Sequence, residues 1–304
     1  MHEKALNMIT SINYKSYWAL CKPKVVALII FTAVVGMLLA SPDGVPWHAL
    51  LFGTLGIGIG AASGAAMNHW VDFRIDGVMA RTSNRPLPQG DLPPYAALIF
   101  SLTLAAISSY ILIVFVNNIT ALLTFLSLIG YAVIYTMYLK RSTPMNIVLG
   151  GAAGAAPPLL GWAAVTGDVP PEALLLFLII FIWTPPHFWA LAIKRREEYR
   201  AAGIPMLPVT HGVAATKRQI LAYTILLVFV SVLPFFIQMS GLIYLSGAIA
   251  LGIGFLYYAI KLYRTDCDVL AMKTFGYSIF YLSLLFTFLL VDHYARLLLR
   301  NFIL

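Results

Sequence analysis

The chain has 304 residues, 61% of them hydrophobic and 11% charged, with a mean hydropathy of +0.86 and a formal net charge of +8. Soluble domains carry roughly 25% charged residues, so this composition excludes a soluble enzyme and points to a polytopic helical membrane protein. The positive charge then reports orientation in the bilayer and is not a nucleic-acid footprint.

Apolar runs predict an all-α chain of nine transmembrane helices, at roughly 24–41, 48–67, 94–116, 119–138, 145–165, 172–192, 219–237, 241–260 and 275–295. Lys22, Pro23 and Lys24 mark the start of the first. With the N-terminus inside, 18 of the 20 basic residues fall on inside segments, and only Arg296 and Arg300 lie beyond the last span. That alternation predicts an inside N-terminus and an outside C-terminus. The whole of 1–304 is expected to form a single membrane domain. No removable signal peptide is expected ahead of the first span. Cys21 and Cys267 lie far apart and read as free thiols.

The two longest inside connections follow spans 2 and 6. Each begins as a polar extension and ends in a proline-rich turn, Arg85–Gly90 and Pro205–Gly212. This predicts a weak repeat of four helices in the same orientation, with a site at the repeat interface. Gly56, Gly60 and Gly64 in span 2, and Gly150 and Gly154 in span 5, are spaced for close helix contact. Room for a long or flat apolar ligand is the lesser reading of the same glycines.

The chemistry concentrates after span 2, in Asn68-His69-Trp70-Val71-Asp72-Phe73-Arg74-Ile75-Asp76. On a helix each step of four turns the side chain by only about 40°, so Asn68, Asp72 and Asp76 form one stripe roughly 12 Å long. Arg81 and Arg85 follow. Carboxylates that continue an apolar span are expensive to hold there and mark function. A second mixed patch, Lys194-Arg195-Arg196-Glu197-Glu198-Tyr199-Arg200, extends span 6 on the same side. Two acidic patches on one face suit a diphosphate bridged by Mg²⁺, which takes oxygen ligands and keeps several waters. Arginine and metal would neutralise a leaving diphosphate, and an apolar, aromatic-lined cavity would shelter an allylic cation. His187 follows Pro185 and Pro186, which are read as interrupting span 6. It is a ligand for iron, a proton-transfer group, or a partner for backbone freed by the kink.

These motifs resemble the UbiA superfamily of intramembrane prenyltransferases. Asn68–Pro88, Tyr138–Asn146, Trp183–Ile193 and Ala202–Val209 are similar to the branch that farnesylates haem. The resemblance covers nearly the whole chain. It implies a UbiA-like helical bundle that transfers a farnesyl group from farnesyl diphosphate to a vinyl of haem B, with addition of water. Asp72, Asp76 and His187 would then be catalytic. Mg²⁺ would be held by Asn68, Asp72, Asp76, Glu197 and Glu198. Asn68, Arg81, Arg85, Lys140, Arg141, Lys194 and Tyr199 would bind substrate, and Trp189 would meet the haem beside His187. The expected partners are farnesyl diphosphate, haem B, the lipid bilayer and a downstream haem A synthase or terminal oxidase, in a prokaryotic plasma membrane.

Two departures from the family pattern stand out. Arg74 replaces a middle acid in the first motif, and helical geometry places it about 200° from Asp72, pointing away. Glu197-Glu198 replaces an Asp pair, which keeps the charge and lengthens the reach. A CDP-alcohol phosphotransferase reading fails, because Pro94 and Leu98 stand where that signature needs acids. A transporter reading would need polar groups near the midplane of several spans, and most ionisable groups here gather at the inside face.

Overall fold

A computed structural model of the chain describes residues 14–41, 44–79, 82–265 and 268–303. All regular structure among them is helical. A short helix α1 (Tyr14–Leu20) meets α2 (Pro23–Leu39) at a 49° bend. Then follow α3 (Ala49–Asp76), α4 (Pro94–Phe115), α5 (Asn118–Ser142), α6 (Asn146–Thr166), α7 (Pro171–Lys194), short α8 (Arg196–Ala201), α9 (Gly212–Phe236), α10 (Leu242–Arg264) and α11 (Asp268–Ile303). Eight helices are long and apolar enough to cross a membrane, and the bent α1–α2 pair makes a ninth. The nine expected spans are therefore present among the described residues. The helix of the second span carries on through the polar stripe to Asp76, as the reading of Asn68, Asp72 and Asp76 on one helical face requires.

Local chemistry sets the boundaries. Proline opens α2, α4, α7 and the second half of α6, where a missing N–H does no harm. The Asn117 side chain caps α5 by accepting from Thr120 N at 2.8 Å. Gly167, at φ 69°, ends α6 in the left-handed conformation that glycine adopts without strain. At Ala156–Pro157 α6 is broken into two halves. Pro185 and Pro186 do not interrupt α7, which runs continuously to Lys194. The expected interruption is thus corrected: the two prolines remove backbone donors inside a helix that stays continuous.

α7 is the centre of the bundle. It packs against both halves of α6 and against α9 and α11, while α2 packs along the second half of α6. That last contact is backbone on backbone: a Cβ at Gly161 would run into Ala33 O, and one at Gly36 into Pro158 O. The expected close contacts also hold in α3. A Cβ on Gly56 would strike Leu112, and one on Gly60 would meet Ser108 and Thr124. Residues 130–139 of α5 wind as a π-helix. Such wider turns are uncommon and gather at functional sites.

Candidate active site

The stripe forms as its spacing predicts. Asn68, Asp72 and Asp76 are all buried at the end of α3. Asn68 Nδ2 donates to Asp72 Oδ2 at 2.8 Å. Each carboxylate also has a cation brought from elsewhere in the chain. Lys140 Nζ, at the end of the π-helical segment, is 2.5 Å from Asp72 Oδ2. Arg85 Nη1 is 2.5 Å from Asp76 Oδ2. Arg141 Nη2 stands 3.9 Å from Asp72 Oδ1, outside hydrogen-bond reach. Arg74 is exposed and lies over the Phe73 ring, away from the stripe as expected. Arg81 falls outside the described residues.

One member of the cluster was not anticipated. Lys22 donates to Asn68 Oδ1 at 2.5 Å. It sits in the hinge between α1 and α2 at φ 48°, a strained conformation for a residue with a side chain. In the sequence Lys22 read only as a marker of the membrane boundary. The signal that could have found it is a lysine fixed by the following proline at the start of a span.

The stripe therefore holds two carboxylates against Lys22, Lys140 and Arg85, with Arg141 close by. It is cation-rich and suited to a ligand with more negative charge than the acids it displaces. Asp72 Oδ1 is buried and accepts no hydrogen bond. A carboxylate oxygen left bare in this way is what a hard divalent cation takes as a ligand, so the residues fit Mg²⁺.

An apolar cavity of about 520 Å³ begins at Lys22 and runs into the bundle between α2, α3, α5, α6 and α7. Small residues of α3 and α6 make the room, among them Gly64, Gly151 and Gly154. A Cβ on Gly154 would have no heavy atom within 4 Å. Gly154 thus serves the cavity, whereas Gly150 abuts the Tyr135 ring as a packing glycine. The stacked rings of Tyr131 and Tyr135 line one wall. His187, Trp183 and Phe188 line another.

Trp189 does not line this cavity. It is fully buried, edge-on to Tyr223, in the packed core around Ile193 and Ile220. The expectation that it meets a ligand beside His187 is corrected, and Phe188 is the ring that reaches the cavity from this turn. Because α7 is unbroken, residue 189 lies about 200° around the helix from residue 187. Tyr199 is likewise buried in that core.

The second patch is not gathered onto the first. Glu198 pairs with Arg195 at 2.9 Å. Glu197 pairs with Arg200 and with Arg196, and Arg196 also holds Asp268 at 2.9 Å. Lys194 is exposed. Among the described residues no three Asp, Glu, His or Cys side chains form a metal-sized group.

A buried acid stripe, linked through Lys22 to an apolar cavity inside the bundle, defines a class of enzyme that handles an anion with a long apolar tail. Comparison agrees. The model of the UbiA prenyltransferase family matches residues 29–285, and the chain belongs to that family. Among its curated relatives, the protoheme IX farnesyltransferase of Thioalkalivibrio sulfidiphilus is 63% identical over 94% of this chain and 94% of its own. That of Nitrosococcus oceani is 62% identical over 93% and 94%. The fold matches a solved digeranylgeranylglyceryl phosphate synthase with TM-score 0.79 and 20% identity, over 92% of this chain and 98% of that one. It also matches a UbiA homologue from Archaeoglobus fulgidus bound to DMAPP and Mg²⁺, with TM-score 0.64 and 16% identity, over 90% and 99%.

Proposed function

We propose that this protein transfers the farnesyl group of farnesyl diphosphate to a vinyl group of haem B, with addition of water, giving haem O and diphosphate. The observation that carries the reading is Lys22, which donates to Asn68 of the cation-rich stripe and also lines the cavity that His187 lines. Relatives of about 60% identity over nearly the whole chain support the choice of acceptor.

Asn68, Asp72 and Asp76 would hold Mg²⁺, with Glu197 and Glu198 completing the set once they exchange their arginine partners. The metal's chemistry there is to neutralise charge on the departing diphosphate. Arg85, Lys140 and Lys22 bind the diphosphate oxygens, and Arg141, Arg81 and Lys194 add charge around them. The cavity takes the farnesyl chain against glycine and aliphatic side chains. Tyr131, Tyr135 and Trp183 present ring faces to the allylic cation, and the apolar wall keeps bulk water from it. His187 acts at the haem end.

The protein is an integral membrane protein. We place it in a prokaryotic plasma membrane with an inside N-terminus and an outside C-terminus, and its product goes to a haem A synthase or a terminal oxidase. The test is direct. Membranes containing the protein are given haem B, farnesyl diphosphate and Mg²⁺, and farnesylated haem is measured by mass. Its absence from folded protein refutes the reading.

A further inference from the structure

α7 carries Trp183 and His187 one turn apart, and both reach the same residue of α11. Trp183 Nε1 donates to Ser278 O at 2.8 Å. His187 Nδ1 is 2.7 Å from Ser278 Oγ. The same hydroxyl lies 2.6 Å from Phe275 O. A hydroxyl has one proton, and a carbonyl can only accept. The Ser278 proton therefore goes to Phe275 O, and the Ser278 oxygen faces His187 as an acceptor. Nδ1 of His187 must then carry the hydrogen.

The ring has no freedom to turn. It is stacked on Trp183 at 4.2 Å and 20° and on Phe275 at 4.5 Å and 28°. Both faces and the Nδ1 edge are occupied. His187 lines the cavity, and with Nδ1 on Ser278 and rings stacked on it, the edge that bears Nε2 is the one left to face it. In the neutral Nδ1–H tautomer that nitrogen carries a lone pair.

We infer that Ser278 is a positioning residue that fixes His187 as the Nδ1–H tautomer and so presents Nε2 to the cavity as a proton acceptor. The inference rests on the farnesyl-transfer reading above. In that reaction the vinyl π pair forms the new bond to farnesyl C1 as the C1–O bond to diphosphate breaks. The cation left on the inner vinyl carbon takes the oxygen of a water molecule. One proton of that water goes to His187 Nε2, and the other stays in the product hydroxyl. No electrons are gained or lost overall. A ring held the other way round would offer an N–H and could not take the proton.

The experiment uses full-length protein in lipid nanodiscs. With ¹⁵N-histidine labelling, the His187 signal is identified by its loss in His187→Gln. It is expected to show a protonated Nδ1 and a bare Nε2 in the wild type, retained in Ser278→Thr and lost or mixed in Ser278→Ala. Turnover should fall at least about tenfold in Ser278→Ala, with KM for farnesyl diphosphate unchanged and the acid limb of the pH profile displaced, and Ser278→Thr should recover most of it. The opposite tautomer in the wild type overturns the inference, even if Ser278→Ala fails to fold. So does a Ser278→Ala protein with unchanged rate and pH profile. A haem spectrum that loses an iron ligand in His187→Gln overturns the proton-acceptor role. The tautomer is read without turnover, so failure of the farnesyl-transfer reading would appear separately, as wild-type protein that makes no product.

Discussion

Lys140 and Asp72, 68 residues apart in the chain, meet at 2.5 Å in the bundle interior. The carboxylate side is 1% exposed and the ammonium side 14%. Removing one partner of such a pair strands the other charge, at about 3 kcal/mol or more. Lys140→Met should therefore lower the unfolding temperature in detergent markedly. Adding Asp72→Asn removes the stranded charge and should recover most of the stability while leaving activity absent. If the double variant is no more stable than the single one, the pair does not account for the loss.

Asp72→Ala and Asp76→Ala should each reduce turnover by about 10²-fold or more while the protein still inserts, since each removes charge stabilisation at the reacting diphosphate. Chelation of divalent cations should do the same to the wild type, reversibly on adding Mg²⁺. A rate close to wild type in either variant contradicts the metal assignment.

Gly154 and Gly161 lie in the same broken helix and should behave oppositely. Gly154 faces open cavity, so Gly154→Leu should leave stability unchanged and cut farnesyl transfer by about tenfold, with a shorter prenyl diphosphate less affected. Gly161→Ala forces α2 off the backbone of α6 and should destabilise by about 1–3 kcal/mol. Melting curves and prenyl-length assays separate the two effects.

Glu197→Gln and Glu198→Gln test the second patch. The Glu197–Arg200 pair is exposed and the Glu198–Arg195 pair partly so, and loss of such a surface pair is worth about 0–1 kcal/mol of stability. As metal ligands in the loaded enzyme, each should nonetheless raise the Mg²⁺ concentration needed for half-maximal rate by about tenfold. An unaltered Mg²⁺ dependence removes them from the site.

The acid stripe was legible because a four-residue spacing means one face of a helix whatever the rest of the fold does. The same geometry correctly turned Arg74 outward. Trp189, which the resemblance alone assigned to the haem, lies about 200° around the unbroken helix from His187 and packs in the core instead. Lys22 and Ser278 were beyond reach for a different reason. Their partners, Asn68 and His187, are 46 and 91 residues away, and periodicity carries no information on which helices become neighbours.

The cations that line the stripe also bear on the order in which ligands arrive. Without substrate, Asp72 and Asp76 are already neutralised by Lys140 and Arg85, so a lone Mg²⁺ must compete with an ammonium and a guanidinium for the charge of the same carboxylates. A magnesium–diphosphate complex faces no such contest, because its phosphate oxygens give those cations a new home as the metal takes their place. On the proposed function, metal and prenyl donor would enter as one unit, and free Mg²⁺ alone should bind weakly.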